Sequence, residues 1–339
     1  MIIAFAACGS SAGSGSGTVA SEEWAGATIR MGVNETDEAF LREFADAVTE
    51  ATGGKIKIET ILYTTLGSGS DVYGMLRDGS LDMTFLSPAN TEAGTFPVSA
   101  IADIPFFSTS PTASTEMFYT LKNLGYMDKE FEGIHHLFTF TSDGSRIAFV
   151  EKNPQTAEEF KGMVFRCMSA GVTHMLENLG ASGSKISSSE IYMSMQRKVV
   201  DGSISSPSAM VKMSYQEVCD YLLGDVLYSQ FSYVLCSQKF WDFVPLDYQM
   251  IINRVCEQYR YKYIQKNYTA EADGIAALQA GGMQVFYASP ELNAAMHQAS
   301  SDLLENYKKD LVTYGYTQAE ADEIVSVCER VVARVDYNF

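Results

Sequence analysis

The chain has 339 residues, 46% of them hydrophobic and 19% charged, and a formal net charge of -18 at pH 7. That length is enough for two domains with separate cores. The charge argues against a nucleic-acid partner and against electrostatic attachment to anionic lipid. A free organic anion would be repelled at long range, so any anion site must be local and built from particular cations.

Residues 1–7 (Met1-Ile2-Ile3-Ala4-Phe5-Ala6-Ala7) form a short apolar run that ends in small residues before Cys8. The run resembles the tail of a secretory signal followed by a bacterial lipobox, with Phe5 where Leu is usual. On that reading Cys8 is acylated after export, and residues 9–27 are a linker, Gly/Ser-rich through Gly17. No run approaches the ~18 apolar residues of a membrane span. Cys167, Cys219, Cys236, Cys256 and Cys328 show no CxxC spacing and read as small buried hydrophobes.

Alternation predicts a strand over 28–33. A helix over 38–51 follows, with Phe40, Leu41, Phe44, Ala47, Val48 and Ala51 on one face, Asp37 as N-cap and Gly53-Gly54 as stop. Residues 56–62, 72–77 and 81–85 continue as strand, short helix and strand. This β-α-β-α-β order predicts a doubly wound α/β domain with a mostly parallel sheet. Ligands of such sheets sit beyond the carboxyl ends of the strands. Asn34, Glu35, the loop at 66–68 and Ser87 are therefore candidate site residues, although ordinary turn chemistry accounts for them too.

A helix follows Pro111, and strand-like runs occupy 134–140 and 146–150. The pattern restarts with a strand at 163–167, a helix at 171–179, a helix near 189–198 and a strand around Val199-Val200. Residues 226–236 are strand-rich and suited to cross back to the first unit. Pro245 opens a long helical stretch, and the tail predicts a strand at 283–287 and helices at about 290–309 and 317–334. The division expected is lobe I from 28–143 plus 232–271 and lobe II from 144–231 plus 272–339, joined by a hinge and the long helix.

There is no P-loop, GxGxxG, HExxH or GxSxG. His135 and His136 adjoin in a strand, so they point to opposite faces and make poor joint metal ligands. A Cys167–His174 pair lacks an orienting third group. No metal, cofactor or catalytic residue is expected. The positive signal is two arginines beside short apolar runs, Arg146 and Arg166. A guanidinium fork matches a carboxylate with two parallel hydrogen bonds. Each could instead be spent on a protein carboxylate. Tyr192 could stack on a ligand or sit at the edge of a core, and Phe231 and Tyr233 are candidates for apolar walls.

Several segments, in order, carry a family resemblance: residues 53–58 (Gly-Gly-Lys-Ile-Lys-Ile), Leu66-Gly67, and 76–83 (Leu-Arg-Asp-Gly-Ser-Leu-Asp-Met). Then come 104–107 (Ile-Pro-Phe-Phe), Gly144-Ser145-Arg146, Phe160-Lys161-Gly162 with Phe165-Arg166, Tyr192 through Asp201-Gly202, and Phe240-Trp241 with Pro245. Over about residues 28–334 the chain resembles the substrate-binding subunit of tripartite ATP-independent periplasmic (TRAP) transporters. The resemblance implies a monomeric, two-lobed periplasmic-binding-protein-like fold that closes around a small organic acid and delivers it to ion-gradient-driven membrane subunits. It implies that Arg166 clamps the ligand carboxylate and that Arg146 matches a second ligand-facing arginine. Ser205 and Ser206 stand before Pro207 where the family has an Asn, and Asn34-Glu35-Thr36 replaces the usual opening-loop chemistry. The rival readings are a receptor for an ATP-driven importer or a sensor kinase, an enzyme acting on the same acid, and a surface adhesin.

Overall fold

A computed structural model describes residues 24–337; Cys8 and the expected leader lie outside them. The first unit runs β1 (Ala27–Val33), α1 (Glu38–Ala51), β2 (Ile56–Leu62), the one-turn α2 (Tyr63–Leu66), α3 (Gly69–Asp78), β3 (Met83–Leu86), α4 (Pro111–Asn123) and β4 (Ile134–Thr141). The second runs β5 (Arg146–Phe149), β6 (Val164–Arg166), α5 (Ala170–Asn178), β7 (Ser182–Ser184), α6 (Ile191–Gln196), β8 (Gly202–Ser205), α7 (Pro207–Lys212) and β9 (Tyr221–Leu223). After these come β10 (Phe231–Ser237), α8 (Gln238–Phe243), α9 (Leu246–Ala280), β11 (Gln284–Phe286), α10 (Pro290–Ala299), α11 (Leu303–Thr313) and α12 (Gln318–Tyr337).

Two separate sheets result, with orders β2-β1-β3-β10-β4 and β11-β9-β5-β8-β6-β7. Strand β1 is parallel to β2 and β3, whereas β10 lies antiparallel between β3 and β4. The strand-rich run near 226–236 therefore does return to the first sheet. In the second sheet β5 is the antiparallel member, flanked by β8 and β9. Each sheet is thus mixed, and the fold is the two-lobed α/β architecture expected.

The helices cover the sheets through apolar stripes at helical spacing. On α1 the buried positions are Phe40, Leu41, Phe44, Ala45 and Val48. Phe44 packs edge-on against Phe138 of β4 and Tyr259 of α9. Burying such a ring contributes roughly 2–3 kcal/mol by transfer alone. Asp37 precedes α1 but makes no side-chain capping bond.

Helix α9, 35 residues long, extends about 52 Å at 1.5 Å per residue. Its first half packs Ile252, Val255, Cys256, Tyr259 and Tyr263 into the core of the first sheet. Its far end contributes Ile275 and Leu278 to the second. At Gly274 an added Cβ would lie 2.9 Å from the backbone of Pro207 and Ser208, so a glycine is what lets α7 cross so closely.

Of the chain segments that connect the lobes besides α9, those at 142–145 and 227–230 run side by side. They pair with each other: Ser145 N–H donates to Tyr228 O at 2.8 Å, Leu227 N–H to Ser145 O at 2.8 Å, and Ser142 N–H to Gln230 O at 3.1 Å.

The C-terminal helices depart from the expected division. Helices α11 and α12 bury Leu303, Tyr307, Leu311, Ile324, Cys328 and Val331 with Phe118 of α4 and Tyr233 of β10, on the first sheet rather than the second. The expected helix at 290–309 is also broken near Ser300, between α10 and α11. Polar Ser300-Ser301-Asp302 interrupts the apolar period, letting α10 stay with the second lobe and α11 turn to the first. The strand expected at Val199-Val200 begins later, at Gly202.

Candidate ligand-binding cleft

Between the sheets, against the paired crossover segments, lies a cavity of ≈ 170 Å³. Its lobe I wall holds Asn34, Asp37, Phe85, Ser87 and Asn90. Its lobe II wall holds Arg166, Met168, Ile204, Ser205, Ser206 and Lys212, and α9 adds Tyr263, Lys266 and Asn267. An outer compartment of ≈ 510 Å³ shares Asn34, Asn90, Arg166 and Met168 with it and adds Glu35, Glu92 and Lys185. Asn34, Glu35, Ser87, Ser205, Ser206 and Arg166 are thus brought together, as loops at strand ends require.

Arg166 ends β6 and is 8% exposed. Its Nε donates to Ile186 O at 3.1 Å and its Nη1 to Ile204 O at 3.4 Å. Among the described residues no carboxylate pairs with it, and its Nη2 has no protein acceptor. Two neutral carbonyls orient the fork without cancelling its charge. A buried guanidinium in that state calls for an anion.

Arg146 is different. Its Nη2 pairs with Glu271 Oε1 of α9 at 2.7 Å, its Nε donates to Gly224 O at 3.0 Å and its Nη1 to Gly144 O at 2.8 Å. It does not line the cavity. The expected ligand contact is instead a structural bond between β5 and α9, because α9 supplies a carboxylate that local sequence could not reveal. Tyr192 is also misassigned: its hydroxyl donates to Glu217 at 3.0 Å, away from the cavity. Phe231 and Tyr233 are core, packed with Phe118 under α4. Both alternate onto the face of β10 that α4 covers, while Ser232 and Gln230 line the cleft.

Sequence reasoning missed Asp143, Gln230, Lys212 and Lys266. Asp143 is buried and accepts from Ser208 N–H at 2.9 Å and Ser208 Oγ–H at 2.6 Å. Asp37 accepts from Asn34 Nδ2 at 3.1 Å and from Tyr263 Oη at 3.4 Å. Gln230 Nε2 donates to Ser87 Oγ. Lys266 lies over the Tyr263 ring, 5.2 Å from its centroid. Desolvation, then Lys212, lowers its pKa, while Asp37 and Asp143 oppose that. A polar break in the apolar stripe of α9 at 266–267 was the available signal.

The nucleophile pair dissolves. Cys167 Sγ donates to Ser169 O at 3.3 Å, and burial pushes its thiol up to about 11. His174 bonds Asp302 at 3.0 Å. His135 stacks on Trp241 while His136 bonds Lys122, on opposite faces of β4. A larger groove of ≈ 860 Å³ between α4, α9 and α12 has no Lys or Arg among its described lining residues, so none of these supplies a cation to fix a carboxylate.

Residues 30–310 match the model of DctP, described as bacterial extracellular solute-binding protein, family 7. The chain belongs to this family, the solute receptors of TRAP transporters.

Among its relatives is the 2,3-diketo-L-gulonate-binding periplasmic protein YiaO of Escherichia coli, 23% identical over 89% of this chain and 92% of that protein. The C4-dicarboxylate-binding protein DctB of Bacillus subtilis is 27% identical, but the match spans only about half of either protein, 53% of this chain and 52% of DctB. The fold matches that of DctP7 from Bordetella pertussis, a receptor binding pyroglutamic acid, with TM-score 0.80 at 18% identity over 90% and 99% of the two chains. It also matches a TRAP solute-binding protein from Sulfitobacter with bound β-D-galacturonate, with TM-score 0.76 at 22% identity over 90% and 100%. The ligands of this DctP-family group vary, whereas the two-lobed frame does not.

Proposed function

We propose that this DctP-family chain is an extracytoplasmic receptor that captures a small organic acid between its lobes. It hands the acid to ion-gradient-driven TRAP membrane subunits, acting as a monomer tethered through a lipid on Cys8. The carrying observation is Arg166, buried at the junction of both cleft compartments with a free fork arm and no counter-ion among the described residues. One bidentate carboxylate satisfies it. Ser87, Ser205, Ser206 and Asn34 then contact the rest of the ligand, and Glu35 faces its outer end. Lobe closure is favourable when the ligand makes contacts with both walls that the open form lacks. Binding involves no covalent step.

The test is a thermal-shift and calorimetric comparison of the wild-type protein, Arg166→Lys and Arg166→Ala against a panel of small carboxylates. Binding in the wild type and at least a hundredfold loss in both variants, with far-UV circular dichroism unchanged, is the expected outcome. Carboxylate binding that survives in Arg166→Ala would overturn the clamp.

A further inference from the structure

Resting on that reading of Arg166, we infer that the acid is a polyhydroxylated monocarboxylate, of the sugar-acid class, rather than a dicarboxylate or an aromatic acid.

Charge is the first ground. The inner cavity is lined by Arg166, Lys212 and Lys266 and by Asp37 and Asp143. The two lysines and two carboxylates act on one another at the α9 side of the cavity. They balance, leaving Arg166 as the uncompensated charge among the described residues of this inner cavity. A second ligand carboxylate would meet a neutral group of four rather than a free cation, and desolvating it there would be costly.

The second ground is the wall. Seven of the lining residues are serine and four carry side-chain amides. Several of these groups are unspent. Ser232 is buried, yet neither its hydroxyl nor that of Ser205 has a protein hydrogen-bond partner among the described residues. The Asn90 amide is likewise unpartnered. Asn267 spends its Nδ2 on Thr141 O and keeps its carbonyl oxygen. Gln230 spends its Nε2 on Ser87 and keeps its own. Hydroxyls that can donate or accept and amide oxygens that accept are thus both available to a ligand body in this space. Polar groups left unpaired on ligand closure would each cost affinity, so the complementary body carries hydroxyls throughout.

The third ground is what the apolar residues withhold. An aromatic acid needs a ring face to stack on. Phe85 is 4% exposed, Tyr228 3%, Tyr263 6% and Ile204 3%. Phe85 already stacks on Phe140 at 5.6 Å between centroids, and Tyr263 packs against the same ring in a tilted pair at 3.9 Å. Among the described lining residues, only Met168, Ala209 and Ala270 present partly open apolar surface to the cavity, and none of them offers a ring.

The experiment is calorimetric titration of the protein with D-galacturonate, D-glucuronate, D-gluconate, D-glucarate, succinate, benzoate and D-galactose. At least one of the three hydroxy-monoacids is expected to bind. Glucarate, succinate and benzoate should each bind at least tenfold more weakly than it, and galactose should give no heat. Ser205→Ala and Ser232→Ala, checked by thermal melt for an intact fold, should each weaken the monoacid by roughly five- to tenfold. Succinate, glucarate or benzoate binding best, with dependence on Arg166, overturns the hydroxy-monoacid class and leaves the receptor reading standing. Unchanged affinity in both serine variants overturns the hydroxyl wall. Binding by none of the acids overturns both the class and the reading it rests on.

Discussion

Lys212, the last residue of α7, donates from Nζ to the backbone carbonyl of Thr36, so a lobe II side chain closes on a lobe I loop at the edge of the cleft. The residue is exposed and Thr36 lines the cavity. This clasp joins the walls directly. Lys212→Ala should leave the melting temperature within about 2 °C, because exposed contacts of this kind are worth under ~1 kcal/mol. Ligand affinity should fall two- to tenfold through a faster off-rate, since the closed form loses a contact that holds the acid in. Stopped-flow dissociation kinetics check it; an unchanged off-rate would show the clasp to be idle.

Glu271 of α9 neutralises Arg146, whose side chain is 5% exposed while the glutamate's is 33%. Glu271→Gln leaves a buried guanidinium held only by carbonyls. The expected cost is about 1–3 kcal/mol of stability, less than for a fully buried pair because the glutamate is partly solvated. Urea denaturation measures it. The ligand constant should change little, because Arg146 does not line the cavity.

Glu130 is buried and accepts from Val98 N–H, Ser99 N–H and Ser99 Oγ–H. Burial pushes its carboxyl from the ordinary 4.5 up to about 7, against those hydrogen bonds. The native state therefore holds a proton that the unfolded chain releases. Stability from this group is full below pH 4.5 and is lost as pH rises through about 7. Asp103, also pushed up to about 7 by burial, acts in the same direction. Glu130→Gln should flatten that part of the melting-temperature profile between pH 5 and pH 7, about the window between the two pKa values. A wild-type slope retained in the variant would contradict the assignment.

Gly171 near the start of α5 lets lobe II approach lobe I at Asp103. A Cβ there would stand 2.5 Å from Asp103 O, which also accepts from Ser169 Oγ at 3.1 Å. Gly171→Ala should push this contact apart and weaken ligand binding several-fold. Small-angle scattering should report a larger radius of gyration for the unliganded variant. An identical radius would mean that local backbone shifts absorb the methyl group.

The frame was legible because it rests on periodicity. The stripe of Phe40, Leu41, Phe44 and Val48 needs only the chain to be read at helical spacing. Arg166 was legible as a cation at the end of an apolar strand. Arg146 looked the same locally, and what separates the two is Glu271, 125 residues away on another element. Tyr233 and Phe231 were misread for a related reason. Alternation gives their shared face but not which face α4 covers. The lysines on α7 and α9 enter the cleft only through the crossing of those helices, a tertiary fact with no local signature.

A rod that belongs to two cores also sets a limit on change along the chain. One residue inserted in α9 between Tyr263 and Ile275 would turn everything beyond it by about 100°. Ile275 and Leu278 would swing out of the second core. Depending on the site, Lys266 or Glu271 would lose its facing too. Loops elsewhere can lengthen over generations at little cost. This stretch can change its letters but not its count, so among diverging descendants its length should outlast its composition.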